Sequence, residues 1–385
     1  MFPRFSGDKD LADVLRLQKI SGFWFHFNEK YVIFLQTLRF LYYVTFFIFA
    51  NVIAYRIGMK NALSGSYFLV SWGFYGIPQL ITYMLYNKKA NNVIERLKLL
   101  YGKRTEQWQW DMFHKNSKFV WIIIRFNLIA AFLFIVVYYL PPLLNDLFRL
   151  IFNAGGENMF SFPYPLKEIQ SESRDFKYYG IFFVSLFWTT TTIFYGVGNI
   201  TFHPIVCSYC CIEIQILRKT LEDGRKKKLL NDKTFLKKII ANHNEILRIV
   251  EDAQVVLGPA EGAQIATGGL LLTAFVFALM EIKGNIILLI AHISCLFVMT
   301  LLNFSICFFG EMLQLQGDKL FECLCGLPWD EMTPKTRKNF NLILLQARKP
   351  ICISFKGLLP VNFESFKFML NTSYSCLMLL TTMKE

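Results

Sequence analysis

Seven long apolar runs separated by charged stretches organise the chain, at about 31–55, 63–86, 119–144, 177–205, 262–281, 285–310 and 363–383. At about 1.5 Å of rise per residue, each can cross roughly 30 Å of hydrocarbon as a helix. The fifth is rich in small residues (Gly262, Ala263, Ala266, Gly268, Gly269), which suits close helix packing inside a bundle. Helical periodicity continues between the runs. Leu236, Ile239, Ile240, His243, Ile246, Leu247 and Val250 form one apolar stripe, with Lys237, Lys238 and Glu245 on the other face. Two further helices are expected over Phe309 to Leu324 and Pro334 to Gln346, the second started by Thr333-Pro334. The fold class expected is an all-α integral membrane protein of seven transmembrane helices with an intracellular helical anchor bundle.

The basic residues suggest an orientation. Of 41 Lys and Arg, 30 fall in the N-terminal segment and the stretches 87–118, 205–258 and 310–362, and 8 fall on the opposite side. The positive-inside rule then puts the N-terminus in the cytoplasm and the C-terminus outside. The expected division is a cytoplasmic segment 1–30, helices one to four over 31–205, a cytoplasmic helical loop 206–258, helices five and six over 259–310, anchor helices 311–362 and the seventh helix 363–385. Residues 1–30 mix acidic and basic side chains without an apolar core, so no cleavable signal peptide is expected there.

Composition agrees with a membrane protein: 385 residues, 54% hydrophobic and 18% charged, against roughly a quarter charged for a soluble domain. The net charge of +13 does not point to nucleic acid, because the charges are spread between spans. The nine cysteines lack metal-ligand spacing with histidine and read as free thiols; Cys207, Cys210 and Cys211 form a juxtamembrane cluster open to palmitoylation. Three sequons, at Asn199, Asn303 and Asn371, fall inside expected spans and read as accidental. No metal or cofactor is expected. Enzyme chemistry is not expected either: no phosphate loop, His-Glu-x-x-His, paired CxxC or nucleophile elbow is present. Arg39, Arg125 and Lys367 are the basic residues within spans, Lys367 placed to pair with Glu364; no chain of acids suggests a proton relay.

The closing segment carries a resemblance. Gln346-Ala347-Arg348-Lys349-Pro350-Ile351, a turn at Gly357, Phe363-Glu364-Ser365-Phe366, then Thr372-Ser373-Tyr374-Ser375 followed by Leu377 to Leu380, resembles the C-terminal signature of insect odorant receptors. The likeness covers about forty residues; Cys376 stands where that family usually has an aromatic. Insect gustatory receptors end in a Thr-Tyr, five-hydrophobic, Gln-Phe pattern that is absent here, and metabotropic seven-helix receptors have the opposite orientation. Both remain as alternative readings.

The resemblance implies the odorant-binding subunit of a ligand-gated, non-selective cation channel in the plasma membrane of olfactory neuron dendrites. Its implied partners are the shared odorant receptor co-receptor, in a tetramer, a small volatile odorant, permeant cations and the bilayer. The odorant would sit in an apolar, aromatic cavity in the outer half of the bundle. Candidate lining residues are Tyr67, Ser71, Phe74 and Tyr75 in span two, and Phe132, Val136 and Tyr139 in span three. Span four offers Tyr179, Phe183 and Phe187; span six offers Ile287, Ile290, His292 and Cys295. The seventh span would line the pore, with Cys376, Leu379, Leu380 and Met383 as pore or gate candidates that close it by dewetting.

Overall fold

The structure, a computed structural model, describes residues 67–152, 176–282 and 286–382, with individual positions between 37 and 55. The N-terminal segment 1–30, the stretch 153–175 and Met383 lie outside the described residues. The elements are α1 (Tyr67–Leu85), α2 (Asn87–Gly102), α3 (Gln107–Phe152), α4 (Phe176–Lys226), α5 (Lys233–Glu281), α6 (Ile286–Cys325), α7 (Pro334–Ala347), β1 (Ser354–Phe355), β2 (Leu359–Pro360) and α8 (Phe363–Thr382). Described positions between 37 and 55 are also helical.

Helices run on where the sequence suggests separate segments. α5 spans 49 residues and α4 spans 51. At 1.5 Å per residue each is about 75 Å long, more than twice the hydrocarbon thickness. The divisions expected at 205/206, 258/259 and 310/311 therefore fall within α4, α5 and α6. Pro204 and Pro259 lie inside α4 and α5 without ending them. The 236–250 stripe and the small-residue span are one helix.

Local chemistry sets the ends. Asp232 caps α5 by accepting from the Thr234 and Phe235 amides, and Thr333 accepts from the Thr336 amide with Pro334 opening α7. At α8, Asn362 Oδ1 accepts from the Ser365 amide (3.1 Å), and Glu311 Oε2 from the Phe363 amide (3.2 Å). The segment between α7 and α8 is a hairpin with Ser354 opposite Pro360. Its three-residue connection, 356–358, places Lys356 and Gly357 at φ 50° and 73°, both left-handed, and the Leu358 amide donates to the Phe355 carbonyl (3.0 Å).

α5 is the hub, packing against α1, α2, α4, α6, β1 and α8. α8 rests on α5 and α6. Close approach is purchased with glycine: a side chain at Gly258 would meet the Ser354 carbonyl, and one at Gly310 the Val361 carbonyl. The hairpin and the start of α8 are therefore set into notches on α5 and α6.

Three described helical stretches are long and apolar enough to cross a membrane, by length and composition: Gln107–Pro141, Lys233–Met280 and Leu289–Cys325. α3 also shows an outward face. Phe119, Ile122, Phe126, Ile129, Leu133 and Leu140 are all exposed at helical spacing. So long an apolar stripe is out of place in water and at home in lipid.

Outside the expected fifth run 262–281, His243 of α5 is fully buried, and neither ring nitrogen has a hydrogen-bond partner among the described residues. Burial pulls its pKa below the usual histidine value. A lowered value means the stability present above about pH 6.5 is lost as pH falls through the folded value. We expect the purified chain to melt earlier as pH drops below about 6.5. His243→Leu should blunt that dependence while costing nothing at pH 7.5, because it removes unsatisfied polar atoms. Thermal melts across pH check both.

Candidate ligand site and closing helix

The pocket candidates separate into inward and outward sets. Tyr139 of α3 is buried and meets Phe182 of α4 edge-on, ring centroids 5.7 Å apart. His292 and Cys295 of α6 are fully buried; Val136 and Tyr179 are half-buried. Phe132, Phe183, Phe187 and Ile290 are exposed on the outside of the bundle. Phe187 packs edge-on against Tyr42 of the 37–55 helical positions, at 5.8 Å. Tyr67, Ser71, Phe74 and Tyr75 lie on α1, but their side chains, like that of Ile287, are outside the described set. A groove of about 420 Å³ is lined by Phe47, Ile48, Asn51, Val52 and Tyr55. Its Asn51 donates its side-chain amide to the Phe47 carbonyl (2.7 Å).

Phe182 was not singled out from the sequence. It neighbours Phe183, and a one-residue step on a helix turns a side chain by about 100°. In a run with aromatics on several faces, spacing does not say which of two neighbours points inward.

Below the aromatic residues lies a buried polar layer that the sequence also concealed. Gln264 of α5 accepts from Gln79 of α1 (3.2 Å) and donates to Asn303 of α6 (3.0 Å). Asn127 of α3 donates to Ser305 of α6 (2.9 Å). Glu261 of α5 and His203 of α4 are both fully buried, with Oε1 2.6 Å from Nδ1. That contact is short yet poorly aligned for a hydrogen bond, and Glu261 Oε2 has no partner among the described residues. His203 Nε2 lies 3.5 Å from the Cys207 sulfur. Glu261 lies two residues after Pro259 and one before the expected fifth span, and it was not singled out from the sequence. The apolar Val255-Val256-Leu257 on its other side was the available signal. Asn303 and Ser305 belong to one of the three sequons, and their burial removes it from any glycosylation surface.

Nearer the expected cytoplasmic side, Arg104 is buried against Glu213 of α4 in an ion pair. Its guanidinium carbon lies 4.3 Å from the Phe113 ring centre and 4.9 Å from that of Tyr101. Burial raises the Glu213 carboxyl above the usual range, against the opposing pull of Arg104. The Cys207, Cys210 and Cys211 cluster is buried, contrary to the accessible acylation site its position suggests. Burial lifts the Cys210 thiol and pushes Cys211 up to about 12. These sulfurs pack within the helical core, where an acyl-transfer enzyme has no access.

On α8, Ser365, Met369 and Ser373 face inward, and Thr273 of α5 donates to the Ser373 carbonyl (3.1 Å). Cys376 is half-buried on the side of these residues. Leu379 and Leu380 are exposed, as are Asn371, Tyr374, Ser375 and Met378. Glu364 and Lys367 are both exposed, and among the described residues no ion pair joins them. The outer face of α8 is thus mixed polar and apolar.

Residues 58–374 match the family model described as 7tm Odorant receptor. The chain is similar to Odorant receptor 49a of Drosophila melanogaster, 19% identical over 305 residues, which covers 77% of this chain and 75% of that protein. Odorant receptor 94a of the same fly is 25% identical over 241 residues, 60% of this chain and 59% of that one. Among solved structures, the insect olfactory receptor OR5 from Machilis hrabei in complex with eugenol superposes with a TM-score of 0.77 over 98% of both chains, at 16% identity. That likeness shows a shared fold, and the family model extends across most of the sequence. The chain belongs to the seven-transmembrane odorant receptor family of membrane proteins, ligand-sensing receptors rather than enzymes.

Proposed function

We propose that this odorant receptor is the ligand-tuned subunit of an odorant-gated, non-selective cation channel that assembles with a co-receptor. The observation that carries the reading is the position of α8. It is long enough to span a bilayer, rests on α5 and α6, and presents a face of Asn371, Ser375, Met378 and Leu379 that is exposed among the described residues. Lipid is a poor solvent for Asn and Ser side chains, whereas a water-filled path shared with neighbouring subunits suits them. Leu379, Leu380 and Met383 are the proposed apolar constriction, with Cys376 beside them. The cytoplasmic N-terminus and external C-terminus, and residence in dendritic plasma membrane, belong to the same proposal.

The odorant pocket is proposed at the inward set: Val136, Tyr139, Tyr179, His292 and Cys295, with Tyr67, Ser71, Phe74 and Tyr75 contributed by α1. The OR5 receptor was solved with eugenol, a ligand with an aromatic ring and polar oxygens. An apolar cavity with a few hydroxyl or imidazole anchors fits volatiles of that kind. Odorant burial would favour the arrangement with α8 displaced, and only its differential affinity for the two arrangements can drive that shift.

Currents recorded with and without co-receptor against a panel of volatiles test the reading. We expect odorant-evoked cation current that needs co-receptor and no G protein; silence with both chains at the surface overturns it. Tyr139→Phe should weaken responses to oxygenated volatiles about two- to tenfold, the worth of one hydrogen bond of about 0.5–1.5 kcal/mol.

A further inference from the structure

The buried Glu261–His203 contact has no part in the ligand pocket or in the α8 surface, yet it lies on the helix that joins them. α5 presents two faces roughly a third of a turn apart. One face carries Glu261 and Gln264. These meet His203 of α4, Gln79 of α1 and Asn303 of α6. The other carries Gly258, Gly262, Gly269 and Thr273, which hold the hairpin and α8. A side chain at Gly269 would come within 3.0 Å of the Met369 carbonyl, so α5 and α8 are in backbone contact there.

Any slide or rotation of α5 against α4 and α6 must therefore do two things together. It separates a fully buried carboxylate from its histidine, and it carries α8 along. Polar groups left unpaired in an apolar bundle are costly, so intermediate positions of α5 are disfavoured and its register becomes a choice between discrete states. Glu261 Oε2 is likewise buried without a hydrogen-bond partner among the described residues.

We infer that Glu261, through His203, is a positioning residue for gating: it holds α5, and α8 with it, in the register that seats α8 against α6. This rests on the channel reading. It also concerns the position of α8 itself, which can be measured without any current. Cys376 is a native reporter, half-buried on α8 three residues beyond the Thr273–Ser373 contact.

The experiment expresses the full chain with co-receptor and treats intact cells with a membrane-impermeant biotin-maleimide. A Cys376→Ser chain sets the background, and labelling is normalised to surface protein. In Glu261→Gln we expect Cys376 to label at least threefold faster and the odorant-independent current per surface chain to rise. The exchanged pair His203→Glu with Glu261→His should return both toward wild type, which a general loosening of the fold would not do. Unchanged labelling and current in a Glu261→Gln chain at normal surface level overturn the assignment. So does failure of both variants to reach the surface, which would make the pair a folding requirement only. If wild type labels as expected but carries no current with any volatile, the channel reading fails while the effect of Glu261 on α8 still stands to be read by labelling.

Discussion

Gly310→Ala is expected to cost about 2–3 kcal/mol or more and to strip most of the protein from the cell surface. The added methyl would be driven into the carbonyl group of Val361, which is backbone and has no rotamer in which to yield. Val361 is itself tied down, its amide donating to the Ile353 carbonyl at 2.9 Å. The next residue, Asn362, caps α8. Relief of the clash must therefore move the hairpin base, the α8 cap or α6, where Ile353, Val361, Asn362 and Phe309 are all buried. Gly102→Ala is the control, since nothing lies within 4 Å of the new methyl, and it should be neutral. Thermal melting of both variants in detergent checks the pair; a Gly310→Ala chain that melts with wild type would mean the hairpin is not seated as described.

Arg104→Met should be of similar size, about 3–5 kcal/mol, for an electrostatic reason. It leaves Glu213 buried without its cation, and Glu213 already pays for burial, its carboxyl lying above the usual range. The methionine keeps the aromatic contacts of Tyr101 and Phe113 largely filled, so the loss isolates charge from packing. Combining it with Glu213→Leu should recover most of the stability, because two apolar groups of similar volume can replace a buried ion pair at little net cost. A double variant as unstable as the single one would show that packing around the guanidinium, and not the stranded carboxylate, dominates.

Much of the plan was legible because it follows from local rules. Thr333-Pro334 opens α7 and Gly357 takes the left-handed turn position from backbone preferences that need no distant partner, whereas Phe363 begins α8 where expected with Glu311 of α6 also accepting from its amide. The small residues of the fifth run meet the close contacts their size suggested: Gly262 against Phe355, and Gly269 against α8. Ala266, in the same run, is exposed, since periodicity identifies a small-residue face more reliably than each member of it. The signature residues around α8 carried the family, and the family model extends it to residues 58–374.

Other features needed the assembled bundle. Phe132 and Tyr139 lie seven residues apart on α3, yet one is exposed and the other buried. A long membrane helix is apolar on the lipid side as well as the core side, so hydrophobicity no longer distinguishes inside from outside. His243 matched its apolar stripe, but that its nitrogens find no partner among the described residues depends on what other elements supply. Glu261 and His203 are 58 positions apart in number, and the sequence marks neither as the other's partner. By itself the chain determined its apolar helical runs, the Thr333-Pro334 helix start and its membrane class, because these depend on neighbours within a few residues. Which faces meet, which glycines receive a backbone, and which carboxylate is buried beside which imidazole were decided only in three dimensions, where helices from distant parts of the sequence exclude both lipid and water from one another.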